Sequence, residues 1–184
     1  MPTADVTRAM REALELLQSY GVQQPPIDVK AIAEGEGAMV VFEQMEDQVS
    51  GLLVQKQGTV TIGVNALHQA GRQRFTLAHE LGHFKLHPKD PTVYVDDVLV
   101  HFRGEGLHAP ATPAEIEANS FAANLLMPED FLRRDLAGRV IDVSDDVTMR
   151  RLATRYGVSQ QALTIRLMEL DLLDGLPAAS SPGR

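Results

Sequence analysis

The chain has 184 residues, 44% hydrophobic and 23% charged, enough for one domain with a real core and a small appendage. Its formal charge of −8 disfavours nucleic acid as the main partner, because phosphate binding calls for a basic face. Cysteine is absent, so disulfides and thiolate ligands are excluded, any metal must be held by imidazole and carboxylate, and a reducing cytoplasm is the expected compartment.

Residues 3–20 predict a helix, with Val6, Met10, Ala13, Leu14 and Leu17 at helical spacing and Gly21 as its stop. Pro25-Pro26 break the chain, and Asp28 is the candidate N-cap of a short helix over 29–34 that ends at Gly35. Three strand-like runs follow, AMVVFE (38–43), GLLVQ (51–55) and TVTIGVN (59–65), the last two joined by KQG as a tight hairpin. Residues 72–87 predict a helix that Pro88 cannot extend, and 92–103 an extended segment. A second long helix covers 113–127, with Thr112 as N-cap, Pro113 in the first turn and Pro128 as its stop. A short helix near 129–137, helices within 144–174 and a polar, Pro-rich tail expected to be disordered complete the chain.

The sum is an α+β fold with a small antiparallel or mixed three-stranded sheet, two central helices and a helical C-terminal appendage. The corresponding division is 1–140, 141–175 and a tail at 176–184. No apolar run is long enough to span a membrane, and the first residues lack the apolar stretch of a secretory signal.

The chemistry concentrates in FTLAHELGHFKLH (75–87), which holds three of the six histidines. In a helix, residues four apart lie on one face, so His79 and His83 can direct ring nitrogens at one ion. Glu80 lies about 100° round the helix and can reach a water at that ion without binding it. This is the H-E-x-x-H arrangement of zinc-assisted hydrolysis, in which the glutamate takes a proton from water and passes it to the leaving amine. The opposing reading is a buried polar cluster. Phe75, Leu77, Ala78, Leu81 and Phe84 surround the triad, and two histidines and a glutamate buried there without partners would be costly, a cost that a metal resolves.

Catalytic zinc takes a third protein ligand and keeps a fourth position open. His87 is rotated by about 80° from His79 and reads better as a helix-end histidine. In EIEANSFAANLLMP, the residues Glu115, Ala118, Asn119, Ala122, Leu125 and Leu126 form one inward face. Glu117 points nearer Ser120, Phe121 and Asn124, so helical geometry favours Glu115 as the third ligand, with Asn119 placed to orient a ligand imidazole.

RQRFTLAHELGHFKLH followed by EIEANSFAANLLMP resembles the ImmA/IrrE family of bacterial and phage zinc metallopeptidases, a likeness that runs from PPIDVKAIAEGEG through GLLV and TIGVN to the C-terminal helices, about 25–174. The resemblance implies a zincin-like peptidase domain, with Glu115 and Asn119 as ligand and neighbour. It also implies cleavage of a helix-turn-helix repressor or antitoxin-like regulator that lifts repression under stress.

In zincins, substrate commonly adds to a sheet edge beside the active helix. TVTIGVN (59–65) is the candidate edge, or else an ordinary core strand. Tyr94, His101, Arg103 and His108 lie between the motif helices as possible oxyanion donors, none of them singled out. LATRYGVSQQALTIRL (152–167) resembles a helix-turn-helix, with Gly157 at the turn, Ser159 as cap and Gln160, Gln161 and Thr164 as side chains able to meet base edges. Its arginines are matched by acids nearby, which favours packing over DNA contact.

The leading expectation is therefore a cytoplasmic zinc endopeptidase acting on a protein regulator, with manganese or iron(II) as alternative metals. The rival is a non-catalytic, metal-stabilised or toxin-like module that binds a repressor. Glu80 separates the two, since a purely structural site has no use for a base beside an open position.

Overall fold

The computed structural model of the chain describes residues 3–56, 58–87 and 112–174, and the backbone path of 92–96. Helix α1 (Val6–Ser19) is capped by Asp5, whose side chain accepts from the Arg8 amide at 2.9 Å. Its buried stripe is Ala9, Ala13, Leu16 and Leu17, while Val6 and Met10 remain 45% and 39% exposed. The apolar spacing is rotated from the one predicted, because two alanines let this face lie close against helix α4 (Pro113–Leu126). Helix α2 (Val29–Gly35) begins at the expected cap, with Asp28 accepting from the Ala31 amide.

Strands β1 (Ala38–Glu43), β2 (Gly51–Lys56) and β3 (Thr59–Asn65) form a mixed sheet, and β4 (Thr92–Asp96), within the run read as extended, adds a fourth strand. The order is β1-β3-β2-β4, with β1 parallel to β3 and the other pairings antiparallel. β3 is therefore interior, and the candidate substrate edge at 59–65 is corrected. The β2–β3 hairpin docks on β1 through β3, so both ladders of β3 are occupied and Ile62, Gly63, Val64 and Asn65 are all buried.

Helix α3 (Ala70–Leu86) lies under β2 and β3 and packs along α4. Their close approach is set at Gly82, where an added Cβ would sit 3.1 Å from Phe121 Cδ1 and 3.2 Å from the Ala118 Cα. Thr112 caps α4, accepting from the Glu115 amide at 3.2 Å.

Helix α5 (Glu129–Asp135) leads to a short parallel pair, β5 (Ile141–Asp142) and β6 (Leu173–Asp174), which brackets α6 (Asp146–Tyr156) and α7 (Gln160–Glu169). Gly157 closes α6 in the left-handed region at φ 64°, and Ser159 caps α7 by accepting from Ala162 N, as the sequence predicts. These helices are pinned to the rest by half-buried Arg74 and buried Arg166. Arg74 Nε donates to the Gly157 carbonyl at 3.1 Å, while Arg166 donates to the Met127 carbonyl at 3.1 Å and to Asn124 Oδ1 at 2.6 Å. No described helix is long and apolar enough to cross a membrane.

Candidate metal centre

Ten residues of α3 are buried, among them His79, Glu80 and His83. Such a helix is held by packing on both faces, which fixes its side-chain rotamers. His79 Nε2 and His83 Nε2 converge to 3.0 Å from one helix face. From α4, Glu115 brings its two carboxylate oxygens to 3.3 Å from His79 Nε2 and 3.2 Å from His83 Nε2. Glu115 is half-buried, so the cluster opens to solvent on the carboxylate side.

The donor set fits a zinc ion. With ligand bonds of about 2.0–2.1 Å, neighbouring ligands of a tetrahedral ion are roughly 3.3–3.4 Å apart, close to the three separations found here. Two imidazoles and one carboxylate leave one tetrahedral position for water or substrate. Asn119 Oδ1 lies 3.0 Å from His79 Nδ1, so it accepts that ring's N–H and leaves Nε2 with its lone pair toward the cluster.

Glu80 is buried and placed on the side of α3 that meets β2. An added Cβ on Gly51 would lie 3.0 Å from Glu80 Oε1. Glu117 is directed elsewhere: it accepts from the Asp5 amide at 2.8 Å, and its Oε2 lies 3.5 Å from His87 Nε2. Burial, then the adjacent His83, hold the His87 imidazole below its ordinary pKa, with Glu117 opposing. His87 thus belongs to the helix end, as its register suggested, and lies outside the cluster of His79, His83 and Glu115. Of the candidate oxyanion donors, the Tyr94 side chain, His101, Arg103 and His108 lie outside the described residues. What the motif did not reveal is the wall behind Glu80, formed by Gly51 and Thr76; the only signal was a glycine opening a β run.

A family profile described as the IrrE N-terminal-like domain, a peptidase family, matches residues 33–168. The chain belongs to this ImmA/IrrE-type peptidase family. The IrrE-like match covers both motif helices and continues through most of α7, so the C-terminal helices fall within the family's span. No curated protein matches. Among solved structures, a Mycobacterium tuberculosis transcriptional regulator superposes with a TM-score of 0.52 at 20% identity. The alignment covers 88% of this chain and 46% of that one, so the chain spans less than half the length of the regulator, and the likeness is one of fold.

Proposed function

We propose that the chain is a zinc-dependent endopeptidase whose substrate is a protein, a helix-turn-helix repressor or antitoxin-like regulator in the cytoplasm. The observation that carries this reading is the convergence of two imidazole nitrogens and a carboxylate to within 3.3 Å, with a buried glutamate one residue from the first imidazole. His79, His83 and Glu115 would hold the ion, and Asn119 would orient His79. When bound, the metal would polarise the scissile carbonyl and lower the pKa of water. Glu80 takes the proton as the water oxygen attacks the carbonyl carbon. It then delivers that proton to the amide nitrogen as the C–N bond breaks, leaving an acid and an amine. Buried Glu80 suits this role, because bulk water is kept away from the oxygen that carries the proton between the water and the leaving group.

Membership of a peptidase family supports hydrolysis, and the expected repressor substrate draws support from the fold shared with a protein titled a transcriptional regulator. In this reading 1–140 is the peptidase unit and 141–175 a helix-turn-helix-like unit that docks a protein rather than DNA. Arg166 is buried on Met127 and Asn124, and the exposed Arg155 has its charge matched by Asp135 at 2.6 Å, which supports the protein-docking reading.

Elemental analysis of wild type, Glu115→Ala and Glu117→Ala tests the site. The expected result is about one zinc per chain in wild type and Glu117→Ala and loss in Glu115→Ala. Zinc retained without Glu115, or absent from zinc-supplied wild type, overturns the assignment. Glu80→Gln should keep the metal and lose cleavage.

A further inference from the structure

We infer that Gly51 and the Thr76 methyl form a slot that sets the position of the Glu80 carboxylate, which makes Gly51 a positioning residue for the general base. The inference rests on the peptidase reading for what Glu80 does, and on the structure alone for where Glu80 sits.

Gly51 opens β2 in regular register, opposite Val64 on one side and Asp96 on the other, and it has no positive φ. Any residue could adopt this backbone, so the glycine is not explained by conformational freedom. It is explained by space. A Cβ built here would lie inside van der Waals contact of Thr76 Cγ2, 3.0 Å from Glu80 Oε1 and 3.0 Å from the Gly63 carbonyl oxygen. The three neighbours differ in how far they can give. The Gly63 carbonyl belongs to the adjacent, fully paired strand β3. Thr76 is β-branched and buried in α3, so its χ1 is stiff. The closest clash is with the Thr76 methyl, so Thr76 must give first, and the Glu80 carboxylate, which ends a side chain with several rotatable bonds beside it, shifts with it.

Thr76 stands one helical turn before Glu80 on the same side of α3. Its hydroxyl has no hydrogen-bond partner among the described residues, so what it offers β2 is its methyl group. The metal-facing groups lie elsewhere, with Glu115 reaching the two imidazoles from α4. The slot therefore confines the base without touching the point where His79, His83 and Glu115 converge, and disturbing it should separate base position from metal binding.

Crystal structures of zinc-loaded wild type, Gly51→Ala and Gly51→Ala/Thr76→Ser test this. The expected result is zinc at about one per chain in all three, with the Glu80 carboxylate displaced by about 1 Å in Gly51→Ala and returned once the Thr76 methyl is removed. On labelled casein as probe, kcat in Gly51→Ala should fall about 100-fold, the effect of a 1 Å misplacement, with KM little changed. A Glu80 carboxylate that stays in place in Gly51→Ala while β2 or Thr76 moves overturns the inference, as does zinc loss in proportion to any loss of turnover. If Gly51→Ala does not fold, Thr76→Ser alone, which only deletes a methyl, should let Glu80 occupy more than one position; a single unchanged position overturns the inference. A wild type that binds zinc yet cleaves no protein counts against the peptidase reading and leaves the position of Glu80 readable.

Discussion

Asn119→Ala should weaken zinc binding about tenfold while leaving the fold intact. His79 faces the cluster through Nε2, so its Nδ1 must carry the proton, and Asn119 Oδ1 accepts that N–H at 3.0 Å. The amide fixes both the tautomer and the ring orientation. Losing such an outer partner typically costs 10–100-fold in metal affinity, about 1.4–2.7 kcal/mol. Asn119 itself is only half-buried, so water can take over as acceptor when the amide is removed, which places the effect at the lower end of that range. Asn119→Asp keeps an acceptor and adds charge, making Nε2 more basic, so its affinity should equal or exceed that of wild type. Competition with a chelating dye gives the dissociation constants, and urea unfolding of the metal-free proteins checks that stability is not the cause. Affinity within twofold of wild type for Asn119→Ala would refute the orienting role.

Two further outcomes follow from the C-terminal helices. Arg166→Met should lower stability by about 2–4 kcal/mol in urea titrations, because the buried Met127 carbonyl and Asn124 Oδ1 both lose their donor; a change under about 0.5 kcal/mol would show that α7 is held by packing alone. Burial works to raise the Asp135 pKa, but hydrogen bonds from Arg155 and Tyr156 outweigh it and hold the carboxylate below its ordinary value. Its contribution is thus full above the unfolded value of about 3.9 and is lost as pH falls through the lower folded value. Wild type should therefore lose stability on acidification below about pH 4 more steeply than Asp135→Asn, as read by thermal melts across pH; parallel curves would count against the ion pair.

Much of the site was legible because helical geometry is local. Four-residue spacing alone puts His79 and His83 on one face, and the apolar stripe of α4 singles out Glu115 over Glu117 without any knowledge of the fold. The caps at Asp28, Thr112 and Ser159 were legible for the same reason: each is a contact between a side chain and an amide three residues on. Other features depend on which element neighbours which. Val6 and Met10 share the helical period of α1, yet they stay exposed, because the partner surface on α4 selects the alanine stripe. TVTIGVN has the composition of an edge or a core strand, and only the parallel pairing of β1 places it inside.

The amino-acid order by itself determined the helices, the first strands, their caps and the family of chemistry, while the β5–β6 pair and the first turn of α3 escaped it, since local signals reach only about one or two turns along the chain. The tertiary structure alone decided how closely Glu115 meets the two imidazoles, that Glu117 turns to Asp5 and His87, and that the backbone of β2 lies against Glu80. Those contacts join residues 29 to 112 positions apart. Sequence periodicity carries no distance information over such separations, and only close packing of α3 between the sheet and α4 supplies it.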